Sequence, residues 1–169
     1  GRIRTQLVGD YNLPNVLAAV TVGKYFSVEE KVILSYIESY QPSNSRSQLV
    51  HKGGNQVILD AYNANPTSMR AAIENFSRQH HNKKIIYIGG MMELGVESVA
   101  EHAAIVKLLQ QYAWQDVVLV GGDFATVPHP YRYFSNALEA AAWLKEHPVQ
   151  EALVLVKGSR SMQMEKVLQ

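Results

Sequence analysis

Four short segments concentrate residue types that hold small polar ligands: Asp60-Ala61-Tyr62-Asn63-Ala64-Asn65, Gly89-Gly90-Met91-Met92-Glu93-Leu94-Gly95, Gly121-Gly122-Asp123 and Lys157-Gly158-Ser159-Arg160-Ser161. Asp60 suits a ribose hydroxyl or a metal-bound water, with a solvated carboxylate at a strand end as the plainer role. Asn63 and Asn65 suit hydrogen bonds to a polar substrate, although Asn65 before Pro66 is equally an N-cap. Lys157 and Arg160 suit a carboxylate or phosphate, Arg160 as a two-pronged donor, against a plain solvated cation. Glu93 is a candidate acid, base or orienting group, against a surface carboxylate. One such segment alone is an ordinary turn; four at comparable positions shift the balance toward a site.

Other chemistries find no motif. His80 and His81 are adjacent and so diverge, while His51, His102, His129 and His147 lack ligand spacing, and no metal ligand is assigned. All six are expected on the surface or as caps, with His102, just after a glycine loop, the one closest to a site. No G-x-x-x-x-G-K-[ST] occurs, since Gly23-Lys24 is followed by Tyr25, and neither G-x-G-x-x-G nor G-x-S-x-G is present. No catalytic residue is therefore assigned within these residues.

Composition narrows the class. The chain has 169 residues, with 16 Lys+Arg against 15 Asp+Glu, and its net charge of +1 includes no basic run to track a nucleic-acid backbone. At 47% hydrophobic it can build a core, and apolar runs such as Leu153-Val154-Leu155-Val156 are far too short to span a bilayer. Neither nucleic-acid binding nor membrane insertion is expected. Zero cysteines exclude a disulfide framework and thiol catalysis, and with no leader at the start a cytoplasmic location is expected. The opening Gly1 to Gly9 lacks an initiator Met and reads as a strand entered in mid-stream, so the chain is expected to be part of a longer protein.

The elements that must carry the four segments alternate β and α. Helical spacing over Leu13, Val16, Leu17, Val20 and Lys24 to Phe26 predicts a helix, with Gly23 near its end as a possible stop. Ser27 and Glu30 predict a capping box opening a second helix over 27–39. Tyr40 to Ser45, broken by Pro42, is the linker candidate. Residues 46–51 and 56–60 read as strands joined by a glycine turn. Then follow a helix over 66–79 capped by Asn65, strand 84–88, helix 98–113 capped by Ser98 with Glu101, strand 117–120, helix 135–146, strand 152–156 and a short helix from Ser161. Continuous apolar strands separated by helices imply an open, mostly parallel, Rossmann-like α/β sheet with helices on both faces. One antiparallel hairpin strand starts it, and a mainly helical segment precedes it. In such a sheet the ligand crevice lies beyond the carboxyl ends of the strands, where the four segments fall.

Read together, Gly9-Asp10-Tyr11-Asn12-Leu13-Pro14-Asn15 with Ala18-Ala19, the run from Asp60 to Met69, Met92-Glu93-Leu94-Gly95, Glu101-His102 and Lys157-Gly158-Ser159-Arg160 resemble the Mur ligases, over essentially the whole chain. The Asp-x-Tyr-Asn-Ala-Asn-Pro-x-Ser-Met run is similar to the branch that adds D-alanyl-D-alanine to UDP-N-acetylmuramoyl-tripeptide in bacterial peptidoglycan precursor synthesis. The resemblance implies an ATP-dependent amide-forming ligase that uses Mg2+. It implies residues 1–41 as the tail of a central ATPase domain, 42–45 as linker and 46–169 as the C-terminal domain, with the central and N-terminal domains as partners in the same chain. Asn12 and Asn15 match asparagines near the adenine, Arg46 an arginine that reaches the nucleotide phosphates, and Asp60 a ribose-contacting aspartate. Asn63, Asn65, Lys157, Ser159 and Arg160 would face the dipeptide. Tyr11 stands where a histidine is common, Ser45 where a glycine often precedes the arginine, and Gly90 where an aspartate is frequent. The 169 residues alone are expected to lack ligase activity. A stand-alone nucleotide- or phosphate-binding α/β module is the competing expectation, and a folylpolyglutamate-synthase-like ligase is disfavoured by the Tyr62 to Pro66 run.

Overall fold

Strands β1 (Gln48–Lys52), β2 (Asn55–Asp60), β3 (Lys84–Gly89), β4 (Asp116–Val120), β5 (Arg132–Phe134) and β6 (Leu153–Lys157) form one sheet in the order β1-β2-β6-β3-β4-β5. These come from a computed structural model that describes residues 2–169. Only the β1–β2 pair is antiparallel. Its tight turn falls on Gly53 and Gly54, at φ 57° and 78°, values that L side chains adopt only with strain.

Every side chain of β6 is buried, as the run Leu153-Val154-Leu155-Val156-Lys157 requires of a central strand covered on both faces. The period-2 alternation then assigns each residue a face. Ile58, Ile86, Ile88, Leu119 and Leu155 pack under α3 (Pro66–Ser77) and α4 (Ser98–Leu109). Val57, Leu59, Tyr87, Val118 and Val156 pack against α5 (Ala137–Glu146) and Met164 and Val167 of the C-terminal turns. The α/β fold expected from the sequence is the fold observed.

The connections locate the crevice. After β2 the chain crosses β6 on the α3 face to reach β3. After β6 it turns onto the opposite face. Neighbouring strands whose continuations part in this way leave an opening at their carboxyl ends. β6 parts from both β2 and β3, but the β3 side is filled. A Cβ added at Gly89 or Gly158 would lie 2.6 Å from Met164 Cγ, and one at Gly121 would lie 2.7 Å from Met162 Sδ. The glycines of these loops admit the chain's own methionines, where the sequence suggested a ligand. The β2–β6 side stays open.

Several boundaries differ from expectation. Ser27 opens no capping box. It sits at φ 57° just past α1 (Leu13–Tyr25), with its N–H on Lys24 O at 3.0 Å and the Val28 N–H on Gly23 O at 2.9 Å. These paired bonds close the end of α1, so α2 (Glu30–Ser39) starts later. Gly23 lies inside α1, where a Cβ would meet Ile33 Cδ1 of α2 at 2.8 Å; its role is helix packing. Ser98 heads α4 without capping it, because a 3-10 turn over Gly95–Glu97 runs straight into the helix. Asn136 caps α5, accepting from the Leu138 and Glu139 N–H groups at 3.0 Å. The expected terminal helix is a pair of 3-10 turns, Arg160–Met162 and Met164–Leu168, broken at Gln163 with φ 49°. Asn65 caps α3 as expected, with Pro66 in its first turn.

Candidate functional site

The β2–β6 opening forms a cavity of about 720 Å³, closed on its far side by the start of α1 and the residues after α2. Asp60 and Lys157 end their strands as register partners across it. Lys157 Nζ donates to Asp60 Oδ2 at 2.7 Å and to the Asn63 carbonyl at 3.3 Å. The lysine side chain is only 2% exposed and the aspartate 16%, so the pair is a buried ion pair opening onto the cavity.

The other carboxylate oxygen is satisfied from the segment just before β1. Ser47 N–H donates to Asp60 Oδ1 at 3.0 Å, with Ser47 Oγ 3.4 Å away. Tyr11 Oη lies 3.2 Å from the same hydroxyl. With the Ser47 proton directed at the carboxylate, Tyr11 donates to Ser47 Oγ. Burial pushes the Tyr11 phenol above its ordinary range; the Ser47 bond opposes the shift and the Asp60 charge adds to it. A chain of four side chains thus runs from the segment before α1 to the end of β6.

Arg46 is exposed at the rim. Its backbone is bracketed by Asn44, Ser45 and Ser47 at φ 55°, 57° and 45°, an uncommon run for residues with side chains. Serines 45 and 47 are buried while Arg46 is exposed, and its guanidinium carbon stacks 3.7 Å from the centroid of the Tyr62 ring. Among the described residues it pairs with no carboxylate.

Asn12 and Asn15 line the opposite wall. The Asn12 amide donates to Val8 O at 2.8 Å, and Asn15 donates to Asn12 Oδ1 at 3.1 Å, so the two are held as a unit. Asn63 and Asn65 also line the cavity. Their amide oxygens are engaged with the Ala64 N–H at 2.9 Å and the Ser68 N–H at 2.8 Å, which leaves the amide donors for a ligand.

Ser159 and Arg160 do not line this cavity. The Ser159 hydroxyl is buried 3.1 Å from Ser161 Oγ, its N–H donates to Gly90 O at 3.2 Å, and Arg160 lies 3.7 Å from Glu165. Of the nine residues that the resemblance assigns to nucleotide or dipeptide, seven therefore meet here: Asn12, Asn15, Arg46, Asp60, Asn63, Asn65 and Lys157, while Glu93 lies outside. Sequence reasoning missed Ser47 and Tyr62. Tyr62 lies two residues beyond Asp60 in the quoted run, a position that was available as a signal; nothing local marks Ser47.

His102 is a correction, being fully buried. Its Nε2 accepts the Met91 N–H at 3.1 Å while Nδ1, 2.7 Å from Ser98 O, carries the proton. The ring packs edge-on to Phe124 and ties the loop after β3 to α4. That loop has no room for a side chain at Gly90, where a Cβ would lie 2.6 Å from Gly122 Cα. Among the described residues no three His, Asp or Glu side chains are grouped to hold a metal ion, and the Asp60 carboxylate is taken up by Lys157 and Ser47. The donor set here does not fit Mg2+.

Taken as a whole, the cavity offers amide groups on one wall, a carboxylate held by a buried lysine on the other, and a stacked, unpaired guanidinium at the rim. That combination suits a ligand with a polar heterocycle, hydroxyls and an anionic end.

The family model described as "Mur ligase, glutamate ligase domain" matches residues 45–160. The UDP-N-acetylmuramoyl-tripeptide–D-alanyl-D-alanine ligase of Bacillus subtilis is 27% identical, over 96% of this chain and 38% of its own length. That of Treponema pallidum is 29% identical over 98% of this chain and 38% of its own. A crystal structure of MurF from Acinetobacter baumannii superposes with a TM-score of 0.84 at 30% identity, covering 98% of this chain and 38% of that one. MurF from Thermotoga maritima in complex with ADP gives 0.80 at 22% identity, over 96% and 38%, a likeness of fold. The chain thus spans about 38% of the length of these relatives.

Proposed function

The chain belongs to the Mur ligase family through its glutamate ligase domain, and from that membership and the cavity we propose that it is the C-terminal part of an ATP-dependent ligase that adds D-alanyl-D-alanine to UDP-N-acetylmuramoyl-tripeptide. Residues 1–41 are read as the tail of the central ATPase domain, 42–45 as the linker and 46–169 as the C-terminal domain. In support, α1 buries none of its side chains, and Leu13, Leu17, Val22, Tyr25 and Phe26 stay exposed, as expected of a helix that packs on further polypeptide.

The single observation that carries the reading is the meeting of Asn12, Asn15, Arg46 and Asp60 in one cavity. Asn12 and Asn15 would hold the adenine edge, since an amide both donates and accepts. Asp60 would take the ribose hydroxyls, exchanging the Ser47 hydroxyl for them while Lys157 holds the carboxylate in place. Arg46 would meet the phosphates. In the reaction the tripeptide carboxylate is phosphorylated by ATP, releasing ADP. The amine of D-alanyl-D-alanine then attacks the acyl carbon, the C–N bond forms, phosphate leaves and the amine proton passes to solvent. Asn63 and Asn65 offer donors for the dipeptide carboxylate; Ser159, buried against Ser161, and Arg160, beside Glu165, lie outside the cavity and are given no part in this reading. The sequence contains no phosphate-cradling loop motif and the described residues no Mg2+ donor set, so we assign both to other parts of a longer protein, acting on its soluble substrates in the cytoplasm. No described helix is long and apolar enough to cross a membrane.

The test is substrate-dependent turnover by the full-length protein. ADP release that requires both UDP-N-acetylmuramoyl-tripeptide and D-alanyl-D-alanine, with L-glutamate unable to replace the dipeptide, is expected. Turnover with glutamate and no response to the dipeptide would place the protein with the folylpolyglutamate-type ligases, and nucleotide binding without turnover would favour a binding module.

A further inference from the structure

We propose that Tyr62 is a positioning residue for Arg46, holding the guanidinium by its face so that its edge is free to meet an anionic group of the substrate; this rests on the nucleotide reading of the cavity. An exposed arginine with no carboxylate partner samples many rotamers, and ordering it on binding costs free energy. Here the backbone fixes its root. The left-handed run at Asn44, Ser45 and Ser47 and the bond from Arg46 N–H to Ser43 O at 3.3 Å set where the side chain leaves the chain. Tyr62 fixes its tip at 3.7 Å.

Stacking suits this task because it engages only the flat face of the guanidinium. The N–H groups lie in the plane and remain free for a two-pronged bond to phosphoryl or carboxylate oxygens. A carboxylate partner would instead occupy those donors and cancel the charge. Tyr62 has no competing role in the core: it is 40% exposed, and its hydroxyl makes no hydrogen bond among the described residues. Its placement is itself secured, because Lys157 grips the loop on both sides of it, at the Asp60 carboxylate and the Asn63 carbonyl. The buried lysine, the 60–63 loop, the ring and the guanidinium form one line of support ending in the cavity.

The test uses the full-length protein with Tyr62→Leu, Tyr62→Phe, Arg46→Ala and the Tyr62→Leu/Arg46→Ala pair, reading kcat/KM for ATP and the thermal unfolding midpoint. Tyr62→Leu is expected to lower kcat/KM about fivefold, with Tyr62→Phe within about twofold of the parent and all midpoints unchanged. In the Arg46→Ala background Tyr62→Leu is expected to cost nothing further, a non-additivity that a merely structural residue would not show. Parental activity of Tyr62→Leu, an equal loss in Tyr62→Phe, or additive losses in the pair would overturn the proposal while leaving the nucleotide site standing. Parental activity of Arg46→Ala would overturn both, and that variant alone identifies which reading failed.

Discussion

Asp60 and Lys157 stand opposite each other at the ends of β2 and β6, joined by a 2.7 Å ion pair across the gap that the diverging chain leaves between those strands. Burying two charges costs desolvation that their attraction roughly offsets, so the pair is no great source of stability compared with apolar residues of similar size. What it provides is orientation: one carboxylate oxygen is pinned, and the loop carrying Tyr62 and Asn63 is tied down.

Removing one partner should therefore be worse than removing both. Lys157→Met is expected to destabilise by about 3 kcal/mol, because it leaves a carboxylate in the crevice without its counter-charge. Lys157→Met combined with Asp60→Leu should recover most of that loss. Chemical denaturation of the three proteins checks this; equal destabilisation of the single and double variants would mean the pair is not coupled.

The glycines of the β3 and β4 loops separate into tight and open positions. Gly90→Ala forces a Cβ within 2.6 Å of Gly122 Cα, a backbone atom that cannot swing aside, and is expected to cost about 3 kcal/mol or more. Gly95→Ala meets nothing within 4 Å and bears only the strain of φ 55°, about 1 kcal/mol. Comparison of their unfolding midpoints tests whether these loops are closed by packing.

Ser45 holds φ 57° in the segment before β1 without any hydrogen bond from its hydroxyl among the described residues. Glycine relieves a left-handed strain of about 1–2 kcal/mol and returns about 0.5–1 kcal/mol through greater freedom of the unfolded chain. Ser45→Gly should be stabilising by about 0.5–1 kcal/mol in urea unfolding. Destabilisation would show that the serine contributes contacts beyond its backbone.

Tyr87, in the middle of β3, has its phenol pushed from 10.0 up to about 12, first by burial and then by the nearby Asp116 charge. The folded protein holds this proton more tightly than the unfolded chain. The stability it contributes is whole below pH 10.0 and is lost as pH rises toward 12, on the order of 2–3 kcal/mol in all. Tyr87→Phe should flatten the decline of stability across that window; an unchanged decline would assign it to other groups.

The sheet was legible because its strands are unbroken apolar runs, and α3 because Asn65 followed by Pro66 fits a helix start. β5 was not, since Arg132-Tyr133-Phe134 is too short to show a period and exists only by pairing with β4. Ser27 misled because an S-x-x-E spacing fits a helix start, yet the carbonyls of Lys24 and Gly23 take the Ser27 and Val28 N–H groups to end α1. In the site, Asp60, Lys157 and Arg46 could each be singled out. Their relation could not, because the β2–β6 register brings together residues 97 apart in the chain. The same holds for Met162 and Met164, whose occupation of the β3–β6 crevice moved the open site one strand over.

A crystal structure of the full-length protein with ADP bound tests most directly whether the Asp60–Lys157 crevice is the nucleotide site. The adenine is expected beside Asn12 and Asn15, with the ribose hydroxyls on Asp60 and the Lys157 ion pair intact. Nucleotide seated over the Gly89–Gly95 loop, with this cavity empty, would contradict it.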